Sequence, residues 1–322
     1  IWVGVIFLYY LLATLMPIDK IIGRIYPVFA FALIFMALAL MVCLFVKWPS
    51  LPELWDGLGN LGESKGLLSG QPIFPCLFIT IACGAVSGFH ATQSPMMARC
   101  LTDERLGRPV FYGAMITEGI VALIWATVSS WFFFDGGAAE VGATVSAAAP
   151  DVVVKVSQGW LGVLGGILAI LGVVAAPITS GDTAFRSARL IVADFLHLNQ
   201  KPVANRLMIS IPLFLIAGVL LWYNIADENG FNIIWRYFGW ANQTLAVFML
   251  WTATAYLVKF MKGLTYLITM IPAAFMTAVC TTYICVAKIG LGLPDSWNRA
   301  IGLATFVVSL VVFYILYFRR RK

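Results

Sequence analysis

The sequence predicts an all-α, polytopic membrane protein. Three observations predict it. Hydrophobic residues make up 61% of the 322 residues and charged residues 11%, against about 25% charged in a soluble domain. The apolar residues gather in runs of about 17–25, the length that crosses a hydrocarbon core of about 30 Å. The loops between the runs alternate between basic and acidic. Lipid offers the backbone no partner, so each run must satisfy its own donors and acceptors as a helix. The runs lack the two-residue alternation of a membrane barrel.

Nine spans are predicted, at 1–17, 27–46, 73–89, 111–134, 160–178, 207–224, 234–258, 266–288 and 298–318. Ile1 already lies in an apolar run, with no initiator Met, basic leader or small-residue cleavage site. Further helices are therefore expected upstream. Lys20, Arg24, Arg99, Arg105, Arg108, Arg186, Arg189, Lys201, Arg206, Lys259, Lys262 and the tail 319–322 fall on one side, 15 of the 21 Lys and Arg. The other side holds Lys47, Lys65, Lys155, Arg236, Lys288 and Arg299, with nine acids. The positive-inside rule places the basic loops and the tail in the cytoplasm. The chain is expected in the cytoplasmic (inner) membrane as one transmembrane domain over 1–322. Loop charge accounts for the net +6 without nucleic acid.

The interval 183–198 sets Phe185, Leu190, Ile191, Phe195 and Leu196 among Arg186, Arg189, Asp194 and His197. It is expected as an amphipathic helix lying on the cytoplasmic interface. Trp222, Tyr223, Trp235, Tyr237, Trp240 and Trp297 suit an outer aromatic belt. The six cysteines form no CxxC pair and are expected as small buried hydrophobes, without disulfides or zinc.

Polar residues interrupt three of the spans. The first interruption is Ser87, Gly88, Phe89, His90, Ala91, Thr92, Gln93, Ser94 and Pro95. Ser94-Pro95 has the form of an N-cap followed by Pro at the first helical position. The stretch 87–94 is thus expected as an unwound hinge between half-helices. The second runs from Pro177 through Thr179, Ser180, Gly181, Asp182 and Thr183. Here Asp182 is placed to cap a following helix and to pair with Arg186 one turn on. The third runs from Trp235 through Gly239 to Asn242, Gln243 and Thr244. Carriers build sites from discontinuous helices, where freed carbonyls hold a cation. Each motif also has a plainer structural use, as a helix end, a cap or an interhelical hydrogen bond. Glu118 lies about 10 Å from the inner end of its span. A charge there costs roughly 2.5–3.5 kcal/mol on insertion scales, so it needs a partner, a wet cavity or a proton.

Enzyme motifs are lacking. His90 and His197 are the two histidines, and no HExxH, GxSxG or P-loop appears. Transport without an ATP site on the chain would be secondary, or powered by another subunit.

The stretch 78–91, FITIACGAVSGFHA, followed by Thr92-Gln93-Ser94-Pro95, resembles the carbon starvation protein A family. Tyr112-Gly113-Ala114-Met115 leading to Glu118, the region of Asp182 and Arg186, and the stretch 235–243 extend the resemblance over most of the chain. A Pro-Arg-Asp-Tyr-Leu segment and a Ser-Ser-Gly-Thr-Thr-Pro stretch, present in longer members, are not found, so the chain resembles the shorter branch. The resemblance implies uptake of peptides or pyruvate, and the inverted five-helix repeats of the amino acid, polyamine and organocation carriers. No repeat is visible in the sequence itself.

The expectation is a secondary transporter taking up peptides or a small carboxylate such as pyruvate during nutrient limitation. Substrate would meet Ser87, Gly88, Phe89, His90, Thr92, Gln93, Ser94, Trp235, Asn242 and Gln243. Coupling would use Glu118, Thr179, Ser180, Asp182, Thr183 and Arg186, with H+ or Na+ as the coupling ion. No cofactor or resident metal is expected. The partners are the small-molecule substrate and membrane lipids, and the oligomeric state is left open. A nutrient sensor and an intramembrane enzyme using His90 and Glu118 are the alternative readings.

Overall fold

The computed structural model describes residues 2–15, 26–53, 55, 59–66, 71–145, 149–174, 176–227 and 229–317. Lys20, Arg24, Glu228 and the tail 319–322 lie outside them. The described residues contain helices and no strand. The long helices are α1 (Trp2–Leu15), α2 (Tyr26–Lys47), α3 (Phe89–Cys100), α4 (Ala114–Phe134), α5 (Ala149–Ala169), α6 (Ala176–Phe195), α7 (Val203–Ala226), α8 (Gly230–Phe260), α9 (Leu267–Val286) and α10 (Asn298–Tyr317). A broken run of short helical pieces, Ile73–Leu77, Phe78–Ile81 and Ala82–Gly84, precedes α3.

Among the described residues, seven helical stretches are long and apolar enough to cross a membrane. They fall on seven of the nine predicted spans. The other two are α1, whose apolar part Gly4–Ala13 is shorter, and α8. At 31 residues α8 has ample length, but Asn242, Gln243, Thr244, Thr252 and Thr254 dilute its hydrophobicity.

Within the stretch expected as a single domain, the chain forms two compact units: Ile1–Gly57 with Met96–Val219, and Leu58–Pro95 with Leu220–Lys322. The core of the first is built from α2, α4 and α5. Met36, Leu40, Val128, Phe132 and Val156 are fully or almost fully buried there, and the Trp131 and Trp160 rings meet at 4.6 Å. At Gly162 α5 is broken, with φ 62° and ψ −147°. That conformation is essentially confined to glycine.

The interval 183–198 does not start a helix of its own. It is the later part of α6, which runs unbroken from Ala176, and a turn at Leu196 and His197 closes it. Arg186, Ser187 and Arg189 are buried, whereas Ile191, Phe195 and Leu196 are exposed. The apolar face points outward, the reverse of a soluble amphipathic helix.

In the second unit, Ile79 of the broken run packs with Met276, Val279, Cys280 and Tyr283 of α9. Trp240 Nε1 donates to Cys280 O at 3.0 Å, tying α8 to α9. Tyr237 Oη donates to Ile289 O in the same unit. Trp222, Trp235 and Trp297 are exposed.

Candidate functional site

The predicted interruption before α3 is present, but shorter than expected. Residues 85–88 are non-helical and helix resumes at Phe89, so Pro95 sits inside α3 and Ser94-Pro95 does not start a helix. The restart is capped by Ser87. Its Oγ accepts from Phe89 N at 3.3 Å, and its own N–H donates to His90 Nδ1 at 3.3 Å. This reciprocal pair has the form of a capping box, with His90 in the place usually taken by Glu or Gln. The bond needs a bare Nδ1, so the neutral ring carries its hydrogen on Nε2. Thr92 Oγ1 donates to Phe89 O at 3.2 Å. Thr92, Gln93 and Ser94 are half-buried along the first turns of α3.

The third motif is not an interruption, because α8 is one continuous helix through 235–244. Its polar residues instead serve the break in the neighbouring run. Gln243 is fully buried. Oriented by its partners, its Nε2 donates to Val86 O and its Oε1 accepts from Cys83 N, both at 2.9 Å. Asn242 Nδ2 donates to Cys83 Sγ at 3.3 Å, and Asn242 Oδ1 accepts from Ser87 Oγ at 3.3 Å. Gln243 of α8 thus takes up two backbone groups that a regular helix would satisfy internally, as apolar surroundings demand, while Asn242 holds two side chains of the broken run. Gly88 allows the approach. A Cβ on it would lie 2.1 Å from Asn242 O and 2.6 Å from Leu245 Cβ. Phe89 packs on Phe238 with ring centroids 6.0 Å apart.

Beside the break lies a cavity of about 260 Å³, lined by Thr80, Cys83, Trp235, Arg236, Asn242 and Gln243 among others. Pockets for drug-sized ligands measure about 300–1,000 Å³, so this smaller space suits a metabolite. Sequence reasoning missed Arg236, Thr80 and Tyr283, which also line it. In the sequence Arg236 reads as a charge flanking its span. Its signal was its place seven residues before Gln243, two turns back on the same side of a helix.

The second motif belongs to the first unit. Ser180, Asp182, Thr183 and Arg186 lie within the continuous helix α6, so Asp182 is not a cap. The side chain of Thr179 falls outside the described residues. The expected pairing is present: Arg186 Nη2 meets Asp182 Oδ1 at 3.1 Å, with both side chains buried. The same nitrogen donates to Ala13 O near the end of α1 at 2.6 Å, where a cation also suits the helix dipole. Thr183 Oγ1 donates to Ser180 O at 2.9 Å. Desolvation, followed by the like charges of Arg186 and Arg206, lowers the pKa of Arg189 to about 10. It stays charged at neutral pH. Glu118 lies on an exposed face of α4 and is not buried in protein. No group of three or more His, Cys, Asp or Glu arranged to hold a metal occurs among the described residues.

The family profile described as "Carbon starvation protein CstA" matches residues 1–163 and 135–283. An uncharacterized membrane protein of Haemophilus influenzae is 46% identical over 145 residues, covering 41% of this chain and 39% of its own length. The peptide transporter CstA of Escherichia coli is 29% identical over 296 residues, covering 72% of this chain and 41% of its own length. The pyruvate/proton symporter BtsT of the same organism is 28% identical over 324 residues, covering 74% and 43%. The chain therefore spans about two fifths of the length of these relatives. No solved structure matches it. The two relatives with functional names are transporters and not enzymes, in agreement with the missing enzyme motifs. With the profile matching most of its length, the chain belongs to the carbon starvation protein CstA family.

Proposed function

We propose that the full-length protein is a secondary active transporter that takes up peptides or a small carboxylate such as pyruvate. The observation that carries the reading is the break at 85–88, stapled to α8 by Asn242 and Gln243 and flanked by a metabolite-sized cavity. A broken helix beside a cavity is the usual carrier arrangement for a substrate site. The names of the Escherichia coli relatives support the substrate classes.

Coupling to H+ or Na+ is part of the proposal. Glu118 interrupts an apolar stretch on α4, where a carboxyl can exchange a proton. Glu118→Gln keeps the shape and cannot cycle that proton. In proteoliposomes it is expected to abolish accumulation driven by a proton gradient while sparing substrate-for-substrate exchange, which moves no net proton. Full accumulation by Glu118→Gln would remove this residue from coupling. The sodium alternative, through Thr179 and Ser180, predicts instead that Thr179→Val makes uptake insensitive to sodium.

The proposed orientation places the loop between α3 and α4 in the cytoplasm, with Arg99, Arg105 and Arg108 around it. Asp103 is exposed there. A lone cysteine at Asp103, in a cysteine-free protein, should resist an impermeant thiol reagent added to intact cells and react after permeabilisation. Ready labelling of intact cells would invert the topology.

A further inference from the structure

The cavity beside the break has a charge pattern that narrows its ligand. Arg236 is the single charged side chain among the described residues lining it. Its guanidinium makes no ion pair or hydrogen bond with any described residue. Asp295 and Lys288 line a neighbouring cavity that shares Cys76. One turn of α8 separates Arg236 from Gly239, and a second reaches Asn242 and Gln243. At 1.5 Å per residue these amides sit about 9–10 Å further along the helix. The lining is therefore cationic at Arg236 and neutral further along α8 at Asn242 and Gln243, with the indole of Trp235, the ring of Phe238 and the hydroxyls of Thr80 and Tyr283 also on the wall.

We infer that Arg236 anchors the carboxylate of a small monocarboxylate, an oxo or hydroxy acid without an amino group, whose neutral polar end faces Asn242 and Thr80. This rests on the transport reading above and selects between its two substrate classes. The guanidinium fork matches a carboxylate with two parallel hydrogen bonds. A monoanion neutralises the one charge among the described lining residues. The ammonium of a zwitterionic peptide would find no carboxylate among the described lining residues, and an ammonium taken from water without a counter-charge is strongly disfavoured. The volume also suits a metabolite better than most peptides.

The test is counterflow of labelled pyruvate in proteoliposomes of the full-length protein, with lactate, pyruvamide and Ala-Ala as competitors. Lactate should compete, whereas neutral pyruvamide and zwitterionic Ala-Ala should not. Arg236→Gln should raise the half-saturating pyruvate concentration by about 10–100-fold, the usual loss of a charge-assisted bond. Arg236→Lys should retain part of the affinity. Competition by pyruvamide equal to that by lactate, or wild-type affinity in Arg236→Gln, would overturn the anchor. Movement of Ala-Ala but not pyruvate would overturn the monocarboxylate and leave the transport reading standing. Movement of neither pyruvate nor peptides would overturn both. The competition arms use wild-type protein, so they decide the matter even if a variant folds poorly.

Discussion

Gly88→Ala should eliminate uptake. The added methyl would meet the backbone oxygen of Asn242 at 2.1 Å and the Leu245 Cβ at 2.6 Å. Neither atom is the far end of a flexible side chain, so the break must move away from α8. Moving it lengthens the bonds from Asn242 to Ser87 and Cys83 and those from Gln243 to Cys83 and Val86. Overpacking of this kind costs about 1–3 kcal/mol or more, and the bonds lost with it add to that. Gly218→Ala is the matched control, because nothing lies within 4 Å of a Cβ there. Initial uptake rates for the two variants at equal membrane abundance make the comparison. Wild-type uptake by Gly88→Ala would show that the approach of the break to α8 does not matter for transport.

Gln243→Leu should have an effect of similar size. The side chain is fully buried, and it holds one donor and one acceptor of the broken run. Leucine keeps the volume and strands both backbone groups. Each buried group left unsatisfied costs about 1–3 kcal/mol. The detergent-solubilised variant is expected to melt at lower temperature and to lose transport. Gln243→Glu can still accept from Cys83 N, and donates to Val86 O only when protonated, so it should fall between. An unchanged melting temperature in Gln243→Leu would mean that the break satisfies itself without α8.

The spans were legible because membrane thickness sets a length that apolar runs either reach or miss. Seven runs reached it, and their positions held. The break was legible from glycine among polar residues, but its extent was not. Ser94-Pro95 carries the same signature at a helix start as a proline tolerated inside one. The true cap, Ser87 with His90, uses a histidine where the familiar pattern has an acid or amide.

Two predicted interruptions are continuous helix because their glycines serve contacts and not turns. Gly181 lies against the hydroxyl end of Tyr10, and Gly239 faces Ile79. The break in α5 falls at Gly162, and several neighbouring glycines made it indistinguishable in the sequence. Asp182 announced its partner through the four-residue spacing to Arg186, which the ion pair confirms. Arg236 reads in the sequence as a flanking charge, as a cation near a span end does, and only the cavity beside it gives it another meaning.

Substrate sitting in the cavity beside the break at 85–88 should shield the walls of that cavity from solvent. Thr80 lines that cavity, is exposed, and spends its hydroxyl hydrogen on its own helix at Cys76 O, so a cysteine there should be tolerated. In a protein lacking its six native cysteines, the direct measurement is the rate at which a water-soluble thiol reagent modifies Thr80→Cys, with and without transported substrate. Labelling should slow as substrate saturates, with the same half-point as uptake, and Asp103→Cys should show no such protection. Labelling of Thr80→Cys at one rate across all concentrations of a transported substrate would contradict a substrate site there.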